Sequence, residues 1–341
     1  MNLQAAWEFE RSIFRPYTEG IIQSKMLTET RMVLNKTLIL RSLIAAVVLM
    51  VGCSSTPPRP PEAPTVTPSP VPPEVVTRAP RLGLALGGGA ARGFAHVGVI
   101  QVLEQNGIRP DVVVGTSAGS LVAALYASGK TAAQLETAAL GMEEATLTDW
   151  ALPIMGRGLL RGEALARYVR KEVDGKLLEN MSLPLGVLAT DLSTGQGVLF
   201  RRGDTAQAVR ASSAVPGVFA PVAISGREYL DGGLVAPVPV RQARDMGAEV
   251  VLAVDISSSP EGNLAVGSLQ VLLQTFAIMG QSINRHELSG ADVVVRPSLA
   301  GVGSADFASR KRSIEAGRAA MQAALPMLRT QLARKKALTL Q

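Results

Sequence analysis

Cysteine occurs once in this sequence, at position 53, so no disulfide can form within the chain. Histidine occurs twice, as His96 and His286, and neither has a second histidine or a cysteine at ligand spacing. That argues against a zinc site, which draws several such donors together, and no metal or other cofactor is expected. Aromatic residues are only 4% of the chain, and its basic residues are scattered or gathered near the two ends. A surface that tracks nucleic acid clusters its cations and interleaves them with aromatics, so no nucleic-acid partner is expected. The net charge of +6 is modest. What is abundant is small or apolar: 47% hydrophobic residues and 33 glycines suit a close-packed α/β protein. The length, 341 residues, suggests one large or two modest domains on a prior of roughly 100–200 residues each.

The longest early apolar stretch, Leu43 to Val51, is too short to span a bilayer, which takes about 20 residues. With Lys36 and Arg41 before it, it has the layout of a signal-peptide core. It ends in Met50-Val51-Gly52-Cys53, which resembles a bacterial lipobox, with Met50 where leucine is usual. The expectation is a signal peptide over 32–52, preceded by an upstream extension over 1–31, and lipidation of Cys53. Ser54 after that cysteine resembles the pattern of lipoproteins sent to the outer membrane, there facing the periplasm. From Ser54 to Pro80 prolines dominate, as in Pro57-Pro58-Arg59-Pro60-Pro61. They remove backbone donors and favour an extended, semi-rigid spacer, so residues 53–80 read as a tether between a membrane anchor and a folded domain.

That domain is expected over 81–330, with a basic tail over 331–341. Leu82 to Leu86 reads as a strand, Gly87 to Gly93 as a glycine-rich turn, and Phe94 to Asn106 as a helix with Gly107 past its end. Asp111 to Val114 is a second strand, and it runs into Gly115-Thr116-Ser117-Ala118-Gly119 and another helical pattern. Strand, helix and strand in this order form one βαβ unit, whose strands are parallel. The glycine turn and Ser117 therefore share the carboxyl edge of the sheet, where open α/β sheets place their sites. Further on, helices are expected over 131–141, 163–173, 206–212, 237–246 and 268–287, and from Phe307 onward. Strands are expected at 185–190, 198–200, 228–230 and 293–295, with Glu249 to Asp255 apolar enough to be central. The alternation implies a three-layer α/β/α sandwich around a mostly parallel sheet.

A serine flanked by glycines two positions away, between a strand and a helix, has the spacing of a nucleophile elbow, in which bulkier flanks would clash. The glycine turn is a poor dinucleotide fingerprint, because Arg92 stands where the third glycine is required and Gly93 comes one place late. Its bare amides at a helix start can instead stabilise an oxyanion. Two routes to a base are open. Ser117, Asp255 and His286 stand in the order of an α/β-hydrolase triad, but the elbow comes too early in the chain for that fold. His286 lies in an amphipathic helix, where a surface position is expected, and His96 stands in a first helical turn, as packing histidines do. The other route is Asp231, at a strand end before Gly232 and Gly233, which could accept the serine proton directly if partial burial raises its pKa.

Gly88-Gly89-Ala90-Ala91-Arg92-Gly93, Gly115-Thr116-Ser117-Ala118-Gly119 and Asp231-Gly232-Gly233, in this order, resemble the patatin-like phospholipase family, most of all its compact bacterial members. So do Leu160-Arg161-Gly162-Glu163, the stretch from Ala189 to Gly195, and Arg210 to Gly217; the resemblance covers roughly Arg81 to Arg296. It implies a metal-free acyl hydrolase of phospholipase A or lysophospholipase type, acting on a lipid or acyl-ester substrate. Ser117 would be the nucleophile and Asp231 its proton acceptor, with amides of Gly88, Gly89 and Ala90 around the oxyanion. Arg92, Gly93, Gly115, Gly119, Gly232 and Gly233 would support them. Ala90 stands where the family commonly has its third glycine. A membrane-tethered binding or scaffold protein on a lapsed hydrolase fold is the alternative from another class.

Overall fold

A computed structural model of the chain describes residues 78–142, 149, 158–261, 266–303 and 305–338. The expected signal segment, Cys53 and the proline-rich stretch as far as residue 77 lie outside the described residues. The domain begins slightly earlier than the expected boundary. Arg78 pairs with Glu249 through two hydrogen bonds of 2.6 and 3.1 Å, and Pro80 is buried.

The first unit is β1 (Leu82–Leu86), a 3-10 turn (Ala90–Phe94), α1 (Ala95–Gln105) and β2 (Val112–Thr116). Every residue of β1 and β2 is buried, which near-continuous apolar strands in a covered parallel sheet require. α2 (Ala118–Ala127) and α3 (Ala132–Gly141) follow. Thr131 and Gln134 close a capping box at the start of α3, satisfying donors that the first turn leaves free. Next come β3 (Gly158–Leu160), α4 (Glu163–Glu172), β4 (Leu185–Asp191), β5 (Gly197–Phe200) and α5 (Thr205–Ser212). Three short strands, β6 (Gly217–Phe219), β7 (Val222–Ile224) and β8 (Arg227–Asp231), precede α6 (Val240–Asp245) and β9 (Val250–Val254). α7 (Ser268–Glu287), β10 (Val293–Val295) and α8 (Arg310–Leu338) complete the described chain.

The main sheet has eight strands, ordered β10-β9-β1-β2-β4-β8-β7, with β5 also paired to β4. From β10 to β4 all pairings are parallel; β5, β7 and β8 add an antiparallel margin. The two faces alternate residue by residue. Leu82, Leu84 and Leu86 pack beneath α1 and α8, whereas Ala85 faces α6 with Val114, Val251 and Ala253. This is a mixed α/β fold whose mostly parallel sheet is covered by helices, with β9 in the interior as its sequence demands. α1 and α8 cross so closely that a methyl on Gly98 would lie 1.9 Å from the Ile314 carbonyl oxygen. Fully buried Met321 and Leu328 lie along α8, and the helix continues to Leu338, so residue 330 marks no structural boundary.

β3, β6 and β7 are strands that the sequence pattern does not predict. Each has three residues, and β3 pairs with β6, so neither carries enough alternation to show a period.

Candidate active site

β1, β2 and β8 end at one place and deliver the glycine turn, Ser117 and Asp231 to it. Ser117 caps α2 with φ +53° and ψ −124°, a strained backbone that holds the residue out of both strand and helix. The flanking glycines are needed for space. A methyl on Gly115 would lie 2.4 Å from the Gly119 carbonyl oxygen, and one on Gly119 would lie 2.2 Å from that of Leu86. Two further contacts pin the elbow. The Ser117 amide donates to Ser212 Oγ at 2.9 Å, and the same hydroxyl donates to the Leu188 carbonyl at 2.5 Å. Thr116 Oγ1 donates to the Ala236 carbonyl at 3.0 Å.

Asp231 is 6% exposed and is held from both sides of its backbone. Its amide donates to Ala214, and its carbonyl accepts Thr190 Oγ1 at 2.8 Å. Its Oδ1 accepts the Gly233 amide at 2.7 Å. Oδ2 is buried without a well-formed hydrogen bond, and the Ser117 hydroxyl is the side-chain donor that bears on the carboxylate. Burial pushes the carboxyl up to about 6, against the opposing pull of the Ser117 hydroxyl and the Gly233 amide. Such a carboxylate is ionised near neutral pH and more basic than an exposed one, as a proton acceptor requires.

The glycine turn lies directly against the serine: a methyl on Gly88 would approach Ser117 Cβ to 3.1 Å. The expectation that the Gly88 amide faces an oxyanion is corrected here. That N–H donates to the Pro237 carbonyl at 2.9 Å, so its hydrogen is already used. The amides of Gly89 and Ala90, at the start of the 3-10 turn, have no acceptor among the described residues. Ala118, the residue after the serine, adds a first-turn amide of α2. Arg92 lines the pocket, and burial lowers its pKa. A methyl on Gly93 would lie 2.8 Å from Ala118 Cβ, and one on Gly232 would meet the Leu188 carbonyl oxygen at 2.2 Å.

Ala90 has φ +52°, in the left-handed region that disfavours a side chain. Ala90→Gly is therefore expected to stabilise the protein by about 0.5–1 kcal/mol. Relief of about 1–2 kcal/mol of strain exceeds the roughly 0.4–1 kcal/mol by which glycine loosens the unfolded chain. Urea unfolding checks it; a lower midpoint for the variant would contradict it.

The alternative triad does not assemble. Asp255 accepts Arg296 Nε at 3.2 Å and the Ser257 amide at 3.1 Å, and His286 is exposed on α7. His96 is fully buried and its Nε2–H donates to the Gly87 carbonyl at 2.8 Å, fastening the base of the glycine turn. That bond leaves Nδ1 as a buried acceptor without a partner, and burial lowers the imidazole to about 4. The native state thus favours neutral His96, and stability is lost as the pH falls from 6.5 through 4.

Ser117, Asp231, Gly88, Gly89, Ala90 and Arg92 line one pocket of about 640 Å3, walled on one side by Leu273, Phe276 and Ala277 of α7. A second pocket of about 710 Å3 lies among Lys130, Arg167, Lys171 and Glu172 and holds no serine. Ser212 and Thr190 carry no site signal of their own in the sequence. Both lie in the strings from Arg210 to Gly217 and from Ala189 to Gly195, the signal that could have found them.

Residues 84–244 match the family model described as patatin-like phospholipase. An uncharacterized NTE family protein of Mycobacterium tuberculosis is 37% identical over 184 residues, which cover 54% of this chain and 51% of that protein. A second from the same organism is 31% identical over 272 residues, covering 72% of this chain and 46% of that protein. Patatin-like phospholipase domain-containing protein 6 of Mus musculus is 32% identical over 191 residues, covering 54% and 14%. The chain spans about half the length of the mycobacterial relatives. VipD from Legionella pneumophila has a TM-score of 0.49 at 13% identity, covering 74% of this chain and 67% of that structure.

Proposed function

We propose that the domain whose residues 84–244 match the patatin-like phospholipase model is a serine acyl hydrolase of lipid esters. It would be of phospholipase A or lysophospholipase type and work with a Ser117–Asp231 dyad. In this reading the Ser117 Oγ attacks the ester carbonyl while Asp231 takes its proton. The carbonyl oxygen gathers negative charge and is met by the amides of Gly89, Ala90 and Ala118, donors of a kind worth about 3–4 kcal/mol each in comparable sites. The tetrahedral intermediate collapses, the C–O bond to the alcohol breaks, and Asp231 returns the proton to the leaving alcohol. Water then attacks the acyl-serine, giving its proton to Asp231; the bond to Ser117 Oγ breaks, Asp231 returns the proton to that oxygen, and the fatty acid is released.

The observation that carries this reading is that Ser117, the buried Asp231 carboxylate and the glycine turn line one pocket, where the Gly89 and Ala90 amides have no acceptor among the described residues. The matched family and the names of the relatives support a lipid ester over other acyl groups. A lipidated Cys53 and the spacer behind it would hold the domain at a bacterial envelope membrane, raising the effective concentration of such substrates.

A fluorophosphonate probe tests the assignment, because it forms a covalent adduct only with an activated serine. The expected result is one adduct, located on Ser117 by peptide mass spectrometry, with stoichiometric loss of ester turnover. Labelling elsewhere, or turnover that survives full labelling, would overturn it.

A further inference from the structure

α7 is twenty residues long, yet Asn284 is its only buried residue. That asparagine fixes the carboxyl end: its Oδ1 accepts the Val238 amide at 3.2 Å and its Nδ2 donates to Ser257 Oγ at 2.8 Å. The rest of the helix lies over the site as a two-sided wall. Leu273, Phe276, Ala277 and Gly280 line the pocket that holds Ser117 and Asp231. Val271, Thr275, Ile278 and Ser282 fall at helical spacing on the opposite side and are exposed, Ile278 by 53%. Leu272 and Met279 flank that stripe and are exposed too, and Val266, just before the helix, is 89% exposed.

Charge distinguishes this face. From Ser268 to Asn284 the sequence contains no charged residue, and the next residue, Arg285, continues the outer stripe. It is exposed and has no carboxylate partner among the described residues. An uncharged face that exposes Val271, Leu272, Ile278 and Met279 and ends in a cation complements an anionic interface with a hydrocarbon layer beneath it. Among the described residues no helix is long and apolar enough to cross a membrane, so α7 suits lying along a surface rather than spanning it.

We infer that the outer face of α7, from Val271 to Arg285, docks the protein on an anionic phospholipid bilayer, setting the pocket behind it at the lipid surface. The inference rests on the proposed lipid ester hydrolysis only for what the docking accomplishes; the docking itself is read from the helix. The exposed apolar side chains and the terminal cation favour a lipid layer as the occupant over a second protein.

Vesicle sedimentation of the full chain, carrying Cys53→Ser so that no acyl anchor contributes, tests the inference. The parent is expected to sediment with vesicles of phosphatidylethanolamine and phosphatidylglycerol, and weakly with phosphatidylcholine alone. Val271→Glu combined with Ile278→Glu is expected to lower the bound fraction, and hydrolysis of the vesicle lipid, at least about tenfold. Both positions face away from the pocket, so turnover of a soluble short-chain ester should stay within about twofold, which also reports that the variant is folded. Equal vesicle binding by parent and variant would overturn the inference, as would a parent that ignores vesicles. A concentration-dependent dimer dissolved by the two substitutions, without vesicle binding, would overturn it in favour of contact between copies. Failure of the parent to hydrolyse any ester, soluble or embedded, while still binding vesicles would overturn the enzymatic reading and leave the docking standing.

Discussion

Asp231→Asn is expected to remove ester hydrolysis while making the protein harder to unfold at neutral and alkaline pH. The two effects have one cause. The carboxylate is buried, and its proton affinity rises from the ordinary 3.8 to about 6. Each unit of that difference corresponds to about 1.4 kcal/mol, so keeping the ion in the folded protein costs about 3 kcal/mol once the pH is well above 6. The native state holds the proton more tightly than the unfolded chain does. The penalty therefore grows as pH rises from 3.8 through 6 and is absent below that window. Asparagine is neutral throughout, can keep the bond from the Gly233 amide, and presents an N–H₂ group where the orphaned Oδ2 now lies.

Urea unfolding should show the variant more stable than the parent at pH 8, with the difference fading toward pH 4. Turnover of a short-chain chromogenic ester should fall by about 10²–10⁴-fold, the usual contribution of a positioned proton acceptor. The parent's kcat/KM should fall below an apparent pKa near 6 and stay level above it, because the protonated carboxyl cannot accept the serine proton. His286→Ala should leave both rate and profile unchanged. Retained activity in Asp231→Asn, or loss of activity in His286→Ala, would reject the dyad.

Gly119→Ala is expected to cost the protein at least about 3 kcal/mol and to disable the site, although it adds only one methyl group. The methyl would lie 2.2 Å from the Leu86 carbonyl oxygen and 2.6 Å from that of Gly87. Both neighbours are backbone, at the carboxyl end of the central strand β1, and neither can swing aside as a side chain would. Relief requires β1 and α2 to separate, which moves the glycine turn away from Ser117. The turn cannot yield by itself, since Gly87 is tied to Val254 and Gly88 to Pro237. Gly141→Ala is the matching control, because a methyl there meets nothing within 4 Å and its φ is not positive. It should change stability by less than about 0.5 kcal/mol. The two variants compared by urea unfolding and ester turnover separate a steric effect of position from a general effect of adding alanine. Equal midpoints for the two would contradict the packing account.

Much of the scaffold was legible because its signals are local. β1, β2 and β9 are runs of apolar residues bounded by turns, and the helices announce themselves by caps and period. The elbow was legible for the same reason: Gly115, Ser117 and Gly119 are close in sequence, and the steric demand of a tight turn is met by those residues alone. The short strands β6 and β7 were illegible because their pairing partners are supplied by other segments, not by any pattern within three residues.

For this protein, then, the sequence by itself determined the βαβ unit, the parallel core and the serine in its tight turn. It also confined the search for a base, by holding two histidines and one aspartate followed by paired glycines. Tertiary structure alone decided which amides remain free. Pro237 takes the Gly88 N–H, and Gly89 and Ala90 keep theirs unbonded among the described residues. It likewise raised Asp231 by burying it, and tied Asp255 to Arg296 and away from any triad. The division has a physical basis: a turn's sterics are settled within a few residues. A hydrogen bond or a desolvated charge depends on atoms that only folding brings alongside.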